Sequence, residues 1–553
     1  MSLHRVSSMG SYEHVRGSSP ARSEYRKMSL NPVATSAAPG AKEEPIGAFE
    51  VSKSKRILQV AVAVIYCLFS AGVVFGFAAI KPVFVKEGVY GDYCSSEVAT
   101  ESERTCYEQE IRLNLIFTTA AVATNVCALP VGTLLDRYGP RISSIIGSVL
   151  LAIGAIFLAL ASNLPFDGYI PGYIFLALGG PFAYISSFQL SNTFPNHSGL
   201  ILALLTGAFD SSSAIFLFYR LAYEASNGAF KPQKFFLIYL TVPAFLLVVQ
   251  IFLMPSRSYK TVGELVTHAE NPENDAEPAD WYNRNQNQAT RIEEERRAHR
   301  ESIVSEVTAL LGSKGASKQQ KEERKRKEIS GVYGAQHGRS AFQQIRSPWF
   351  ILITGFTVVQ MVRINYFVAT VRTQYEYMFN DEQKAKHVND IFDVALPVGG
   401  LVSIPFIGLI LDNTSTAFVL GLLVFVATTI GVLGVLPYLW ASYANIVLFT
   451  LYRPFYYTAV SDYTAKVFGF HTFGKVYGLI ICLAGILNFI QSALDAATHE
   501  IFNGDPIPIN VILIGVALVV GTALVGYVWH KSRNLARDRL EEEAEDAPEV
   551  RIP

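Results

Sequence analysis

Four ionisable residues stand inside long apolar runs: Asp210, Arg363, Asp393 and Arg453. A charge taken out of water must be paired, neutralised or put to use, so each marks a place where a solute or a partner charge is met. Asp210 lies about eleven residues into its run and Arg453 about twelve, which at 1.5 Å per residue sets both near the middle of a bilayer. Arg363 and Asp393 fall nearer the external side, at similar depth, where the two could pair. Two chemistries fit this set: internal ion pairs that hold one conformation and break in another, or recognition of the carboxylate and ammonium of a zwitterion.

Uncharged groups surround these positions. The run GAFDSSSA at 207–214 adds Ser211, Ser212 and Ser213 beside Asp210; serines in such helices often bond their own backbone instead of a ligand. Further cavity candidates are Gln189 and Asn192, Gln360 and Asn365, and Tyr456 and Tyr457. Asn488 and Gln491, three apart, share a helix face. Phe75 and Phe77 flank Gly76 and would suit either an apolar side-chain pocket or plain packing. Catalysis is not expected. No nucleophile is set beside a base, the histidines are scattered (His197, His471, His499), and neither a metal-ligand cluster nor a GxxxxGK[ST] phosphate loop occurs, so neither a cofactor nor a metal is expected.

These residues must be positioned by membrane helices. Half of the 553 residues are apolar and 17% are charged, with a positive mean hydropathy of +0.27. The net charge of −1 gives no basic excess for nucleic acid. A helix needs about 20 apolar residues to cross a ~30 Å hydrocarbon core. Twelve runs qualify, at 57–80, 111–135, 142–161, 170–192, 199–221 and 235–254, then 349–371, 388–411, 416–436, 441–465, 474–498 and 508–530. The expected fold is an all-α membrane protein of two six-helix halves, 57–254 and 349–530.

Outside the halves lie a disordered tail, 1–56, without a signal or insertion sequence, a charged central loop, 255–348, with one amphipathic helix near 291–312, and an acidic tail, 531–553. Lys53, Lys55 and Arg56 before the first run, and Lys531, Arg533 and Arg537 after the last, place both termini in the cytoplasm. The glycosylation-like triplets at Asn196 and Asn413 then fall on the cytoplasmic side and stay unmodified. Cys94 and Cys106 share the first external loop, as a disulfide or as two free thiols. The loop and tails suit regulatory partners, and the membrane is the plasma or vacuolar one.

The stretch GTLLDRYGPR at 132–141 contains a triplet that ends a helix in heptahelical receptors, but here it follows the second run of twelve. Asp136 stands at a helix C-terminus, where the macrodipole disfavours a carboxylate. Arg137, Arg141 or the N-terminus of a neighbouring helix must compensate it. Gly132 allows close approach on the same face. Gly408 and Asp412 repeat the Gly-x-x-x-Asp spacing at the same place in the second half, as a transporter built from two repeats would.

Gly132, Asp136, Arg137, Gly139 and Arg141 resemble the loop signature of the major facilitator superfamily. EGVYGDYC at 87–94, Cys106, the run 113–141 and SNTFP through LALLTGAFDSSSA at 191–214 resemble the solute carrier 43 group, the large-neutral-amino-acid facilitators, in a fungal-type member. The resemblance implies alternating access, a conformational latch at the signature, and sodium-independent movement of neutral amino acids. Asp136 is then expected to face the N-terminus of the eleventh helix, near Gly474 and Lys475. A purine nucleobase or nucleoside carrier, and a nutrient receptor that no longer transports, are the alternatives.

Overall fold

The computed structural model describes residues 51–94, 107–194, 197–259 and 328–545. The amphipathic helix expected near 291–312, the tail before residue 51, Cys106 and Asn196 lie outside the described residues. Among the described residues, seven helices are long and apolar enough to cross a membrane, and two bent pairs, Lys53–Ser70 with Val73–Lys86 and Glu382–Val402 with Ile404–Asn413, bring these to nine. The longest, Ile111–Asn163, is two helices joined at a break, and at 53 residues has the length for two spans. Its helix reverses at Gly139, whose φ of 82° and ψ of 173° are open to glycine alone at low cost. Leu439–Phe468 and Phe473–Leu487 with Ile490–Glu500 complete twelve; the former is long enough but carries Arg453, Asp462 and Lys466.

The physical causes of the breaks are local. The first span passes through a 3₁₀ turn at Val73–Gly76 and bends by 42°. The eighth bends by 44° where Pro405 begins a new helix after Ser403. The helices after the loops start on hydrogen-bonding caps: Ser347 for Pro348–Phe379, Asp381 for Glu382–Val402 and Ser415 for Thr416–Gly434. At Asp381, the hydrogen bond from Lys384 and the capped N–H groups hold the carboxyl below its ordinary range.

At one end of the bundle, the first half is tied by the segment leaving it and the second by the segment entering it. After the sixth span, Gln59 donates to the Leu253 carbonyl at 2.8 Å and Arg141 donates twice to Met254, at 2.6 and 3.2 Å. Tyr259 donates to Gln59 and its carbonyl accepts from Asn192. Before the seventh span, residues 330–347 fold against the turn between the tenth and eleventh spans. The central region at 255–348 is therefore anchored to a bundle at both ends. The last helix, Ile507–Glu545, continues well beyond residue 530, so the segment starting at 531 opens as helix.

Candidate functional site

The two halves meet at mid-depth through Asp210 of the fifth span and Arg453 of the tenth. Arg453 Nη1 stands 3.7 Å from Asp210 Oδ1, with 12% and 2% of the two side chains exposed. Neither Asp210 oxygen accepts a hydrogen bond, and Arg453 Nε donates none. This is an ion pair at attractive range in which the Asp210 oxygens and Arg453 Nε lack hydrogen bonds while the guanidinium also meets the Tyr457 hydroxyl, a costly state for the buried carboxylate.

Aromatic rings line the pair. Tyr457, one turn beyond Arg453, has its ring centroid 6.0 Å from the guanidinium and 4.9 Å from Tyr456. From the first half, Phe75 meets Phe117 at 6.5 Å and Phe209 at 5.7 Å; Phe209 meets Tyr184 at 4.7 Å, and Tyr184 meets Phe188 at 4.6 Å. Phe188 then crosses to Tyr477 and Phe473 of the second half, at 5.5 and 5.8 Å. Tyr184, Phe188, Phe209 and Tyr477 were not singled out from the sequence. Phe209 adjoins Asp210 in the chain; the others stand in apolar runs with nothing to mark them.

Several expected cavity residues have other work. Arg363 and Asp393 are not paired: Arg363 donates to the Ala427 carbonyl at 2.6 Å, while Asp393 is exposed and accepts from Asn389 at 3.0 Å. Depth along the helices matched, but the side chains leave them in different directions. Ser212 accepts from the N–H of Gly72 at 2.8 Å and donates to Phe209, so it pins the bend of the first span. Ser213 donates to the Asp210 carbonyl. Asn192 binds the Tyr259 carbonyl at the terminus-bearing end. Phe77 is buried against Phe117 and Tyr173.

The remaining candidates sit within the bundle. Asn365 donates to Asn488 at 3.1 Å, and Asn488 to Gln491 at 3.4 Å, a chain joining the seventh and eleventh spans. Gln189 and Gln360 are buried, with Oε1 of the first and Nε2 of the second lacking a hydrogen bond. Cys94 is disulfide-bonded, and Cys106, its expected partner, lies outside the described residues.

At the terminus-bearing end, Asp136 spans the halves. Its Oδ1 accepts from the N–H of Gly474 and its Oδ2 from that of Lys475, both at 2.9 Å. The N–H groups of the first turn, which have no partner within the helix, and the positive dipole of the eleventh helix thus compensate the carboxylate. Arg137 instead lies over the Tyr138 ring, and Arg141 goes to Met254. Gly132 faces Gly474 so closely that a Cβ on either would overlap the other's backbone. In the second half, Asp412 accepts from Gly199 at 2.7 Å and Leu200 at 3.2 Å, at the start of the fifth span, and Gly408 packs on Leu200.

The comparisons agree with this architecture. A family model described as Major Facilitator Superfamily matches residues 68–492. Protein FMP42 of Saccharomyces cerevisiae is 46% identical over 486 residues, covering 86% of this chain and 95% of its own. Equilibrative nucleobase transporter 1 of Bos taurus is 22% identical over 84% of this chain and 94% of its own. Large neutral amino acids transporter small subunit 3 of Mus musculus is 34% identical over 30% of this chain and 31% of its own. The solved structure of the proton:xylose symporter XylE bound to 6-bromo-6-deoxy-D-glucose has a TM-score of 0.53 at 12% identity, covering 87% of this chain and 96% of the other, and so shares the fold. With twelve spans in two six-helix halves and a family match across both, the chain is a multi-pass membrane protein belonging to the major facilitator superfamily of transporters.

Proposed function

We propose that this chain is a facilitative carrier of neutral amino acids that works by alternating access, with Asp210 and Arg453 as the site for the zwitterion's two charges. The carrying observation is the open ion pair. Both Asp210 oxygens are buried without a donor, and Arg453 faces them at 3.7 Å. An α-ammonium supplies N–H donors to Asp210, an α-carboxylate takes Arg453, and the net charge of the site is unchanged. Phe75, Phe209 and Tyr457 offer an apolar wall to the side chain. An uncharged solute would leave both groups unsatisfied.

The basic residues flanking the first and last spans support a cytoplasmic position for both termini. On that reading, Asp136 and Asp412 act as latches of the cytoplasmic face, closed in this conformation, and the halves rock about the central pair.

Uptake of labelled leucine into proteoliposomes, with adenine as competitor, tests the proposal. Leucine flux that adenine leaves untouched is expected, and Asp210→Asn is expected to lower it by about tenfold or more, on the scale of one charged contact, with the folded yield preserved. Absence of leucine flux, or wild-type rates in Asp210→Asn, would overturn it. The ring series Phe209, Tyr184, Phe188 and Tyr477 supports a second reading, stacking of a planar nucleobase, and adenine uptake in place of leucine is its signature.

A further inference from the structure

The carbonyl groups that end a helix have no partner within it. At the end of the tenth span these are Lys466, Val467 and Phe468, and residues 334–344 of the central region supply a donor to each. The N–H of Gly334 meets Lys466 at 2.9 Å, the N–H of Gln336 meets Val467 at 3.0 Å, and Gln344 Nε2 meets Phe468 at 3.1 Å. Gln344 Nε2 also donates to the Gln336 carbonyl at 2.9 Å, and its Oε1 accepts from Thr472 Oγ1 at 2.6 Å. Only 1% of this side chain is exposed, and its amide joins three backbone or side-chain sites in one knot.

The knot stands next to both latches. Two and three residues after Thr472 come Gly474 and Lys475, whose N–H groups hold Asp136. Lys466, whose carbonyl Gly334 caps, sends its ammonium to the Leu411 carbonyl at 3.0 Å and to Asp462, and Leu411 precedes Asp412. A single stretch of the central region therefore reaches one carboxylate through Thr472 and the other through Lys466.

We propose that Gln344 is a positioning residue for transport: it holds the 466–472 turn so that the N–H groups of Gly474 and Lys475 meet Asp136, and its loss releases the cytoplasmic face. The inference rests on the alternating-access reading above. The partners of Gln344 are Phe468 and Thr472 of the second half and Gln336 of the central region itself, so none of its hydrogen bonds goes to Asp136 or to the central ion pair. Its effect falls on the closed state, in which the turn must be held against the first half.

The test uses the full chain in nanodiscs with nitroxide labels at Tyr138→Cys and Asn413→Cys, both exposed positions at the terminus-bearing end, while Cys67, Cys127 and Cys482 are buried. Pulsed dipolar spectroscopy then reads the distance between the halves. Gln344→Ala is expected to raise the long-distance population about fivefold, the scale of one net hydrogen bond. Thr472→Val is expected to move it in the same direction by less, and Thr472→Ser, which keeps the hydroxyl, to restore the parental distribution.

Asp136→Asn in the same labelled chain tests the underlying reading. If it opens the face while Gln344→Ala and Thr472→Val do not, the positioning role is wrong and the carrier reading stands. If Asp136→Asn also leaves the distribution unchanged, the closing role of Asp136 falls and that of Gln344 with it. Should Gln344→Ala fail to fold, the Thr472→Val and Thr472→Ser pair decides alone: equal distributions in the two overturn the proposal.

Discussion

Asp136 and Asp412 hold equivalent places in the two halves, each at the end of a second helix and each set on the first turn of a helix from the opposite half. What stabilises the surrounding chain differs. In the first half the helix reverses at Gly139, and Arg141 fixes the turn by donating to the Met254 carbonyl at the end of the sixth span. In the second half no arginine follows the carboxylate; Lys466 arrives from the tenth span, buried in an ion pair with Asp462 at 2.6 Å, and binds the Leu411 carbonyl. The joint depends on a carboxylate at a helix N-terminus, and the cation that braces it is free to come from elsewhere in the fold.

That difference predicts unequal sensitivity. Lys466→Met strands Asp462 as a buried charge, with an expected loss of about 3–5 kcal/mol of stability, read as a lower midpoint in thermal unfolding of the detergent-solubilised chain. A loss no larger than that of Arg141→Gln would show that the two braces are equivalent after all. Gly132→Leu comes next. Its side chain meets the Gly474 backbone directly, so the closed state is excluded, and leucine exchange in proteoliposomes is expected to fall by about tenfold or more. Near-normal exchange would mean that the helices cross less tightly during turnover.

Asp136→Asn and Asp412→Asn each keep the shape but leave a single acceptor oxygen, so one charged hydrogen bond becomes neutral and the other is replaced by an amide NH2 facing a backbone N–H. Each is expected to shift the balance between the access states by about 1–2 kcal/mol, measured as the dipolar distance distribution between labelled halves. The Asp136 substitution is expected to act more strongly, because both of its bonds are 2.9 Å while one at Asp412 is 3.2 Å. The smallest effect is expected from Arg141→Gln, about 1 kcal/mol of unfolding stability. It removes donors from a single carbonyl and leaves the latch itself intact.

Spans were legible because a bilayer demands long apolar runs whatever lies around them, and a helix N-terminus as one candidate partner of Asp136 followed from the helix dipole, while its place near Gly474 and Lys475 came with the family resemblance. The second brace was not legible. Asp462 and Lys466 are four apart and so share a helix face, but nothing local indicates that the pair is buried or that its ammonium reaches Leu411. Arg363 and Asp393 failed to pair for a related reason: apolar runs reveal depth, while direction around the helix depends on neighbours far away in the chain. The three serines after Asp210 had hydroxyls suited to a ligand, yet Ser212 is spent on a bend in the first span. Gln344 had no signal, since its partners are backbone carbonyls and one threonine.

The tie among Gln59, Leu253, Tyr259 and Asn192, together with that from Arg141 to Met254, bears on the order of biosynthesis. Every donor and acceptor in it has left the ribosome soon after residue 259, before any span of the second half exists. The first bundle is therefore able to close on itself as a unit during translation, and it presents the fifth-span N-terminus ready made to the Asp412 that emerges later. The Asp136 joint has the opposite schedule, waiting for Gly474 near the end of the chain. Assembly of the mature carrier thus ends with the contact on which its conformational cycle is proposed to turn.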